Sequence, residues 1–158
     1  MALVRILVDG YSLLHNWPEL APGKPRHSAA ARDELIAQLM LYQDASGTPV
    51  TVFFDGSGAA RKGSPDEFAR AVEVLYSGAG QTADDLIERA AFRFKEYGEV
   101  LVVTDDYAER DTVISLGGLA SSCENFIRMM GASLKELQQD IKQRNRTEKN
   151  QFNRPNIR

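Results

Sequence analysis

Apolar residues concentrate in four short runs, each leading to a carboxylate. Val4 to Val8 runs into Asp9, Val50 to Phe54 into Asp55, Val100 to Thr104 into Asp105 and Asp106, and Val72 to Tyr76 leads to Asp84. Runs this short and this rich in β-branched residues predict buried strands. The stretches between them carry apolar residues at helical spacing. From Ser28 to Ala45, Leu35, Ile36, Leu39, Met40 and Tyr42 line one side, and Gly47 and Pro49 follow. From Ala83 to Tyr97 the stripe is Leu86, Ile87, Ala90, Ala91 and Phe94, with Gly98 closing the helix.

Asp106-x-x-Glu109 reads as a cap for a further helix that Gly117 and Gly118 end, and a short fifth strand fits near 118–120. Ser121-x-x-Glu124 and Ser133-x-x-Glu136 resemble capping boxes for two last helices, separated by Met129, Met130 and Gly131. Two connections stand out. Asn16 to His27 holds Pro18, Pro22, Gly23 and Pro25 and predicts a long irregular loop, and 56–65 is a Gly- and Ser-rich loop carrying Arg61 and Lys62 before a short helix near 66–71. Alternating strands and helices predict an α/β fold, a three-layer doubly wound and mainly parallel sheet with helices on both faces. The predicted division is one domain over 1–145 and a basic, flexible tail over 146–158.

A parallel sheet gathers its strand-end residues into one crevice, so the acids would sit together there. Crowded carboxylates either protonate or recruit a cation, and hard oxygen ligands suit Mg²⁺ or Mn²⁺. Each acid alone has a plainer reading: Asp9-Gly10 and Asp55-Gly56 are common turn pairs, and Thr82 with Asp85 makes a capping box. That box accounts for Asp85 and leaves Asp84 as the better ligand. The constellation therefore points to metal-assisted chemistry on a phosphate.

Composition narrows the setting. With 158 residues, 43% hydrophobic, the chain suits one domain with a real core. The lone Cys123 excludes an internal disulfide and suits a reducing, cytoplasmic setting. Arg5 and Asp9 interrupt an N-terminal apolar stretch too short for a signal or a membrane span, so no membrane partner is expected. Residues 135–158 hold seven Lys or Arg against three carboxylates, a local +4 within a net charge of −3, which leaves −7 elsewhere. An acidic body with a basic tail fits a body that holds cations and a tail that holds a polyanion.

Read together, Ile6-Leu7-Val8-Asp9-Gly10-Tyr11, Ala31-Arg32-Asp33 with Tyr42-Gln43, Val52-Phe53-Phe54-Asp55, Thr82-Ala83-Asp84, Val103-Thr104-Asp105-Asp106-Tyr107 and Gly117-Gly118-Leu119-Ala120 resemble the YacP-like branch of the NYN-domain ribonucleases, relatives of the PIN-domain nucleases. The resemblance spans nearly the whole chain. It implies a PIN-like sheet and metal-dependent endonucleolytic cleavage of RNA, with ribosome-associated mRNA as one substrate context. Carried over by position, Asp9, Asp84 and Asp106 match the catalytic, metal-holding acids; Asp55 and Asp105 are supporting candidates, Asp105 standing where relatives often have a small residue. Ser12 replaces the Asn of the family's Asp-Gly-Tyr-Asn motif.

Single-stranded RNA would be gripped by Arg61, Lys62, Arg144 and Arg146 and contacted by Tyr11, Ser12 and Trp17, with aromatic stacking on unpaired bases. No histidine nucleophile is needed, and His15 and His27 fit surface or substrate contacts better than catalysis. A haloacid-dehalogenase-like phosphatase is poorly supported because Leu7 stands where its nucleophilic Asp would be, and no dinucleotide or P-loop motif occurs. The alternative is an RNA-binding or ribosome-associated adaptor that keeps the fold without turnover.

Overall fold

In a computed structural model, residues 3–56 and 72–152 are described. Arg61, Lys62, the expected helix at 66–71 and the last residues, 153–158, lie outside them. Five strands, β1 (Leu3–Asp9), β2 (Val50–Phe54), β3 (Glu73–Tyr76), β4 (Glu99–Val103) and β5 (Leu119–Ser121), form one sheet in the order β3-β2-β1-β4-β5. Every pairing is parallel. The doubly wound α/β architecture is therefore present, with the reversal of strand order between β1 and β4.

Period-two alternation along the strands sorts the core into two layers. Ile6, Val8, Val52, Phe54, Leu101 and Val103 face one way and meet α1 (Gly10–His15), α2 (Ala29–Ser46) and α5 (Cys123–Phe152). Leu7, Phe53, Val100 and Val102 face the other way and meet α3 (Ala83–Phe94) and α4 (Tyr107–Ser115). β2 is buried along its whole length, which is why it reads as an unbroken apolar run. Capping chemistry starts the helices where expected: the Ser28 side chain accepts from Ala31 N–H, and Thr82 and Asp85 form a complete capping box.

Two expectations are corrected, and one element was not anticipated. The chain turns into α1 directly after Asp9, ahead of the irregular loop that begins at Asn16 as expected. A single helix replaces the two expected after β5. Ser122 rather than Ser121 meets its first turn, through Asn125 N–H, and Ser133 lies inside the helix. Phe126, Met130, Leu134, Leu137 and Ile141 recur at four- and three-residue steps through that point, so the apolar stripe outweighs the local cap signal and the roughly 1 kcal/mol cost of Gly131. The helix also continues through Asn145 to Phe152, into the segment expected as a flexible tail. At about 1.5 Å per residue it is roughly 45 Å long, and its second half is exposed.

Gly10 is fixed by contact. A Cβ at this position would drive into the Phe54 ring, whose side chain is fully buried. Gly10→Ala is expected to destabilise the protein by about 1–3 kcal/mol, because the ring must leave its packed position. A urea titration monitored by circular dichroism should give a lower midpoint with an unchanged slope.

Candidate metal and RNA site

Two helices and one strand end converge at the carboxyl edge of the sheet. Asp9 closes β1, Asp84 stands in the first turn of α3, and Glu109 in the first turn of α4. Each offers a carboxylate oxygen, and these oxygens all lie within 4.8 Å of one another. Glu109 is only 2% exposed, and neither of its oxygens has a close, well-aligned hydrogen-bond partner among the described residues. Burial pushes its pKa up to about 9, nearby Asp84 adds to the rise, the Thr104 hydroxyl opposes it, and Asp9 adds a smaller repulsion. Asp9 is raised to about 6, chiefly by burial, against the stabilising Ser12 N–H, with Asp84, Asp55 and Asp106 each repelling its charge.

A buried carboxylate with idle oxygens, facing two others, is a costly arrangement unless something compensates the charge. The donor set is all oxygen and anionic, so a hard divalent cation such as Mg²⁺ or Mn²⁺ fits it.

The other acids are held by the backbone. Asp106 caps α4, its Oδ1 accepting from Ala108 N–H at 2.9 Å and Glu109 N–H at 3.4 Å. It stands outside the close trio but near enough for its charge to raise Asp9. Asp55 accepts from Ala83 N–H at 2.6 Å and so secures the turn that carries Asp84. Asp105 pairs with Arg110 at 3.0 Å and accepts from Cys123 N–H, tying α4 to the start of α5.

Ser12 divides its groups. Its backbone N–H donates to Asp9 at 3.3 Å, while its hydroxyl accepts from Asp105 N–H at 3.1 Å and meets the Cys123 thiol at 3.6 Å. Burial pushes that thiol up to about 12, so it is no thiolate at neutral pH.

The aromatic candidates are placed unequally. Tyr11 is half-buried beside the site, its ring 4.4 Å from His27 and 5.1 Å from Phe54. Trp17, near the start of the long loop, packs on the core. Arg144 and Arg146 are exposed on the far half of α5.

Glu109 is the candidate ligand that sequence reasoning missed. Within Asp106-x-x-Glu109 it passes for the partner in a cap, and Asp106 does cap. The available signal was spacing: Glu109 and Val113 are one turn apart and both buried, which puts a carboxylate on the inward face of α4.

Comparison with known proteins agrees with this architecture. The family described as "YacP-like NYN domain" matches residues 6–156. The chain is 32% identical to "Uncharacterized protein YacP" of Bacillus subtilis (strain 168) over 127 residues, 78% of this chain and 72% of the relative. The crystal structure of Rae1 (YacP) from Bacillus subtilis superposes with a TM-score of 0.76 at 28% identity, covering 94% of this chain and 84% of that one. A mutant of the same protein gives 0.73 at 26% identity, with coverages of 97% and 86%. Family model, sequence identity and superposed fold agree, and the chain belongs to the YacP-like NYN-domain family, whose fold is PIN-like.

Proposed function

We propose that this protein is a metal-dependent endoribonuclease that cuts single-stranded RNA, with ribosome-associated mRNA in the cytoplasm as its setting. The observation that carries this reading is the buried, unpartnered Glu109 carboxylate facing Asp9 and Asp84. In it Asp9, Asp84 and Glu109 hold Mg²⁺ or Mn²⁺, while Asp106 and Asp55 fix the helix turns that present Glu109 and Asp84. A cation bound there would activate water and neutralise charge on the scissile phosphate and the leaving oxygen. The protein's part is to hold the three carboxylates together before the cation arrives, so that little reorganisation is left for the reaction. Arg144 and Arg146 contribute attraction for the phosphate backbone at a distance.

One observation favours the adaptor reading. The Ser12 hydroxyl is engaged with Asp105 N–H and does not orient Asp9. Incubating wild-type, Asp84→Asn and Glu109→Gln proteins with a mixed RNA pool separates the two. Mapped ends that require Mg²⁺ or Mn²⁺ and fall by on the order of 100-fold or more in either variant support the nuclease. RNA retained without new ends would instead establish the adaptor.

Stability offers an independent test. Raised carboxyl pKa values mean that the folded state binds more protons than the unfolded one, so this stabilisation is complete below about pH 4. It is lost as pH rises through about 6 for Asp9 and about 9 for Glu109. Metal-free protein is therefore expected to melt at falling temperature between pH 5 and pH 9, with the upper part of that decline absent in Glu109→Gln. Scanning calorimetry in EDTA across that range checks the slope.

Metal should reverse the loss by favouring the ionised carboxylates. At a free Mn²⁺ concentration of about 100 times Kd, binding to the native state adds about 2.7 kcal/mol, or roughly 5–10 °C in Tm. The same titration on Asp84→Asn is expected to give a much smaller shift, and an equal shift in both proteins would place the ion elsewhere.

A further inference from the structure

Ala31-Arg32-Asp33 has no part in the acidic site, yet Arg32 reaches the same end of the sheet. Its Nη1 donates to the Tyr11 hydroxyl at 3.2 Å and to the His27 carbonyl at 2.7 Å. Partial burial disfavours its charge, but the Tyr11 and Tyr76 phenols more than offset that. Among the described residues no carboxylate forms an ion pair with it. A half-buried cation hydrogen-bonded to a phenol, at the edge where acids gather, is matched to an anion that none of the described residues supplies.

The surroundings are aromatic, with half-buried Tyr11 and Tyr76 on either side of the fully buried Phe54. Tyr11 stands two residues after Asp9, Phe54 ends β2 and Tyr76 ends β3, with Phe54 and Tyr76 in register. Their rings touch in sequence, Tyr11 to Phe54 at 5.1 Å and Phe54 to Tyr76 at 5.6 Å. A row of aromatic rings thus leads from the acid cluster toward the β3 edge, with Arg32 donating to the Tyr11 hydroxyl at its near end and close enough to Tyr76 for that phenol to favour its charge. The plainer role, clasping the long loop, involves Arg32 at the His27 carbonyl but falls chiefly to another side chain. Arg26 binds the carbonyls of Leu14, Trp17, Ala21 and Lys24 at 2.8–3.4 Å.

We propose that Arg32, with the Tyr11 and Tyr76 hydroxyls, is a seat for one backbone phosphate of single-stranded RNA flanking the bond at the acidic site. This rests on the reading of that site as an RNA site. The seat sets the direction in which the strand leaves: across the ends of β1, β2 and β3, away from α4. The remaining guanidinium N–H groups donate to the phosphate, and the phenols complete its hydrogen bonding.

The test is phosphate interference. Fluorescein-labelled oligouridylates, each with one charge-neutral methylphosphonate, are bound to wild-type protein in EDTA and followed by anisotropy, so that turnover plays no part. One position is expected to weaken binding by roughly 10-fold, and Arg32→Gln should be insensitive at that position alone. Its salt slope should also fall by about 0.7, the contribution of one phosphate on a single strand.

Arg32→Gln that melts like the wild type but keeps every interference position overturns the seat, as does the absence of oligouridylate binding. If Arg32→Gln does not fold, Arg32→Lys decides: a reduced penalty at the one position supports the seat, and an unchanged profile overturns it. Interference without any RNA cutting by the wild type would remove the nuclease reading and leave the seat standing. Cutting without an Arg32-dependent position would do the reverse.

Discussion

The repulsion among Asp9, Asp84 and Glu109 is the constraint around which the rest of the carboxyl edge is arranged. Three carboxylates within 4.8 Å cannot all ionise cheaply, and for the most buried of them the cost of burial exceeds what the Thr104 hydroxyl offsets. Folding nevertheless brings them together, because each is delivered by an element with its own reason to be there. β1 is the central strand, paired on both sides, and α3 and α4 pack on one face of the sheet through Ile87, Ala91 and Val113. The hydrophobic layers hold the acids at close quarters, and the unfavourable electrostatics are the condition a cation would relieve.

Around that centre, neighbouring acids do structural work that shapes the site. Asp106 and Asp55 accept backbone N–H groups at the starts of α4 and α3, which fixes the turns bearing Glu109 and Asp84. Asp105, Arg110, Cys123 and Ser12 bind the start of α5 to the same edge. The Cys123 thiol is a packed contact in this network. Removing a support would move a ligand without deleting it, and in metal sites such supports matter nearly as much as the ligands.

Much of this was legible in the amino-acid pattern, for identifiable reasons. The strands announced themselves because β2 is buried along its length and β1 alternates between two core layers. Thr82 and Ser28 announced their helices through side-chain chemistry that acts within three residues. Glu109 was not legible, since burial is a tertiary property and its local context imitates a cap. α1 was hidden because its cap is Asp9, whose carboxylate serves the turn and the acid cluster together. The long helix was divided wrongly because Ser133-x-x-Glu136 satisfies a local rule while the apolar stripe that overrides it extends over several turns.

The continuation of α5 past Asn145 changes what its charges mean. On an irregular chain Lys142, Arg144, Arg146 and Lys149 would be interchangeable beads. On a helix, positions two apart face nearly opposite sides, and those three or four apart share one. Lys142, Arg146 and Lys149 therefore form a single cationic row, whereas Arg144 shares its side with Asp140 and Glu148. A polyanion lying along this arm meets continuous positive charge on one flank and alternating charge on the other, so the arm has a handedness that its composition alone does not reveal.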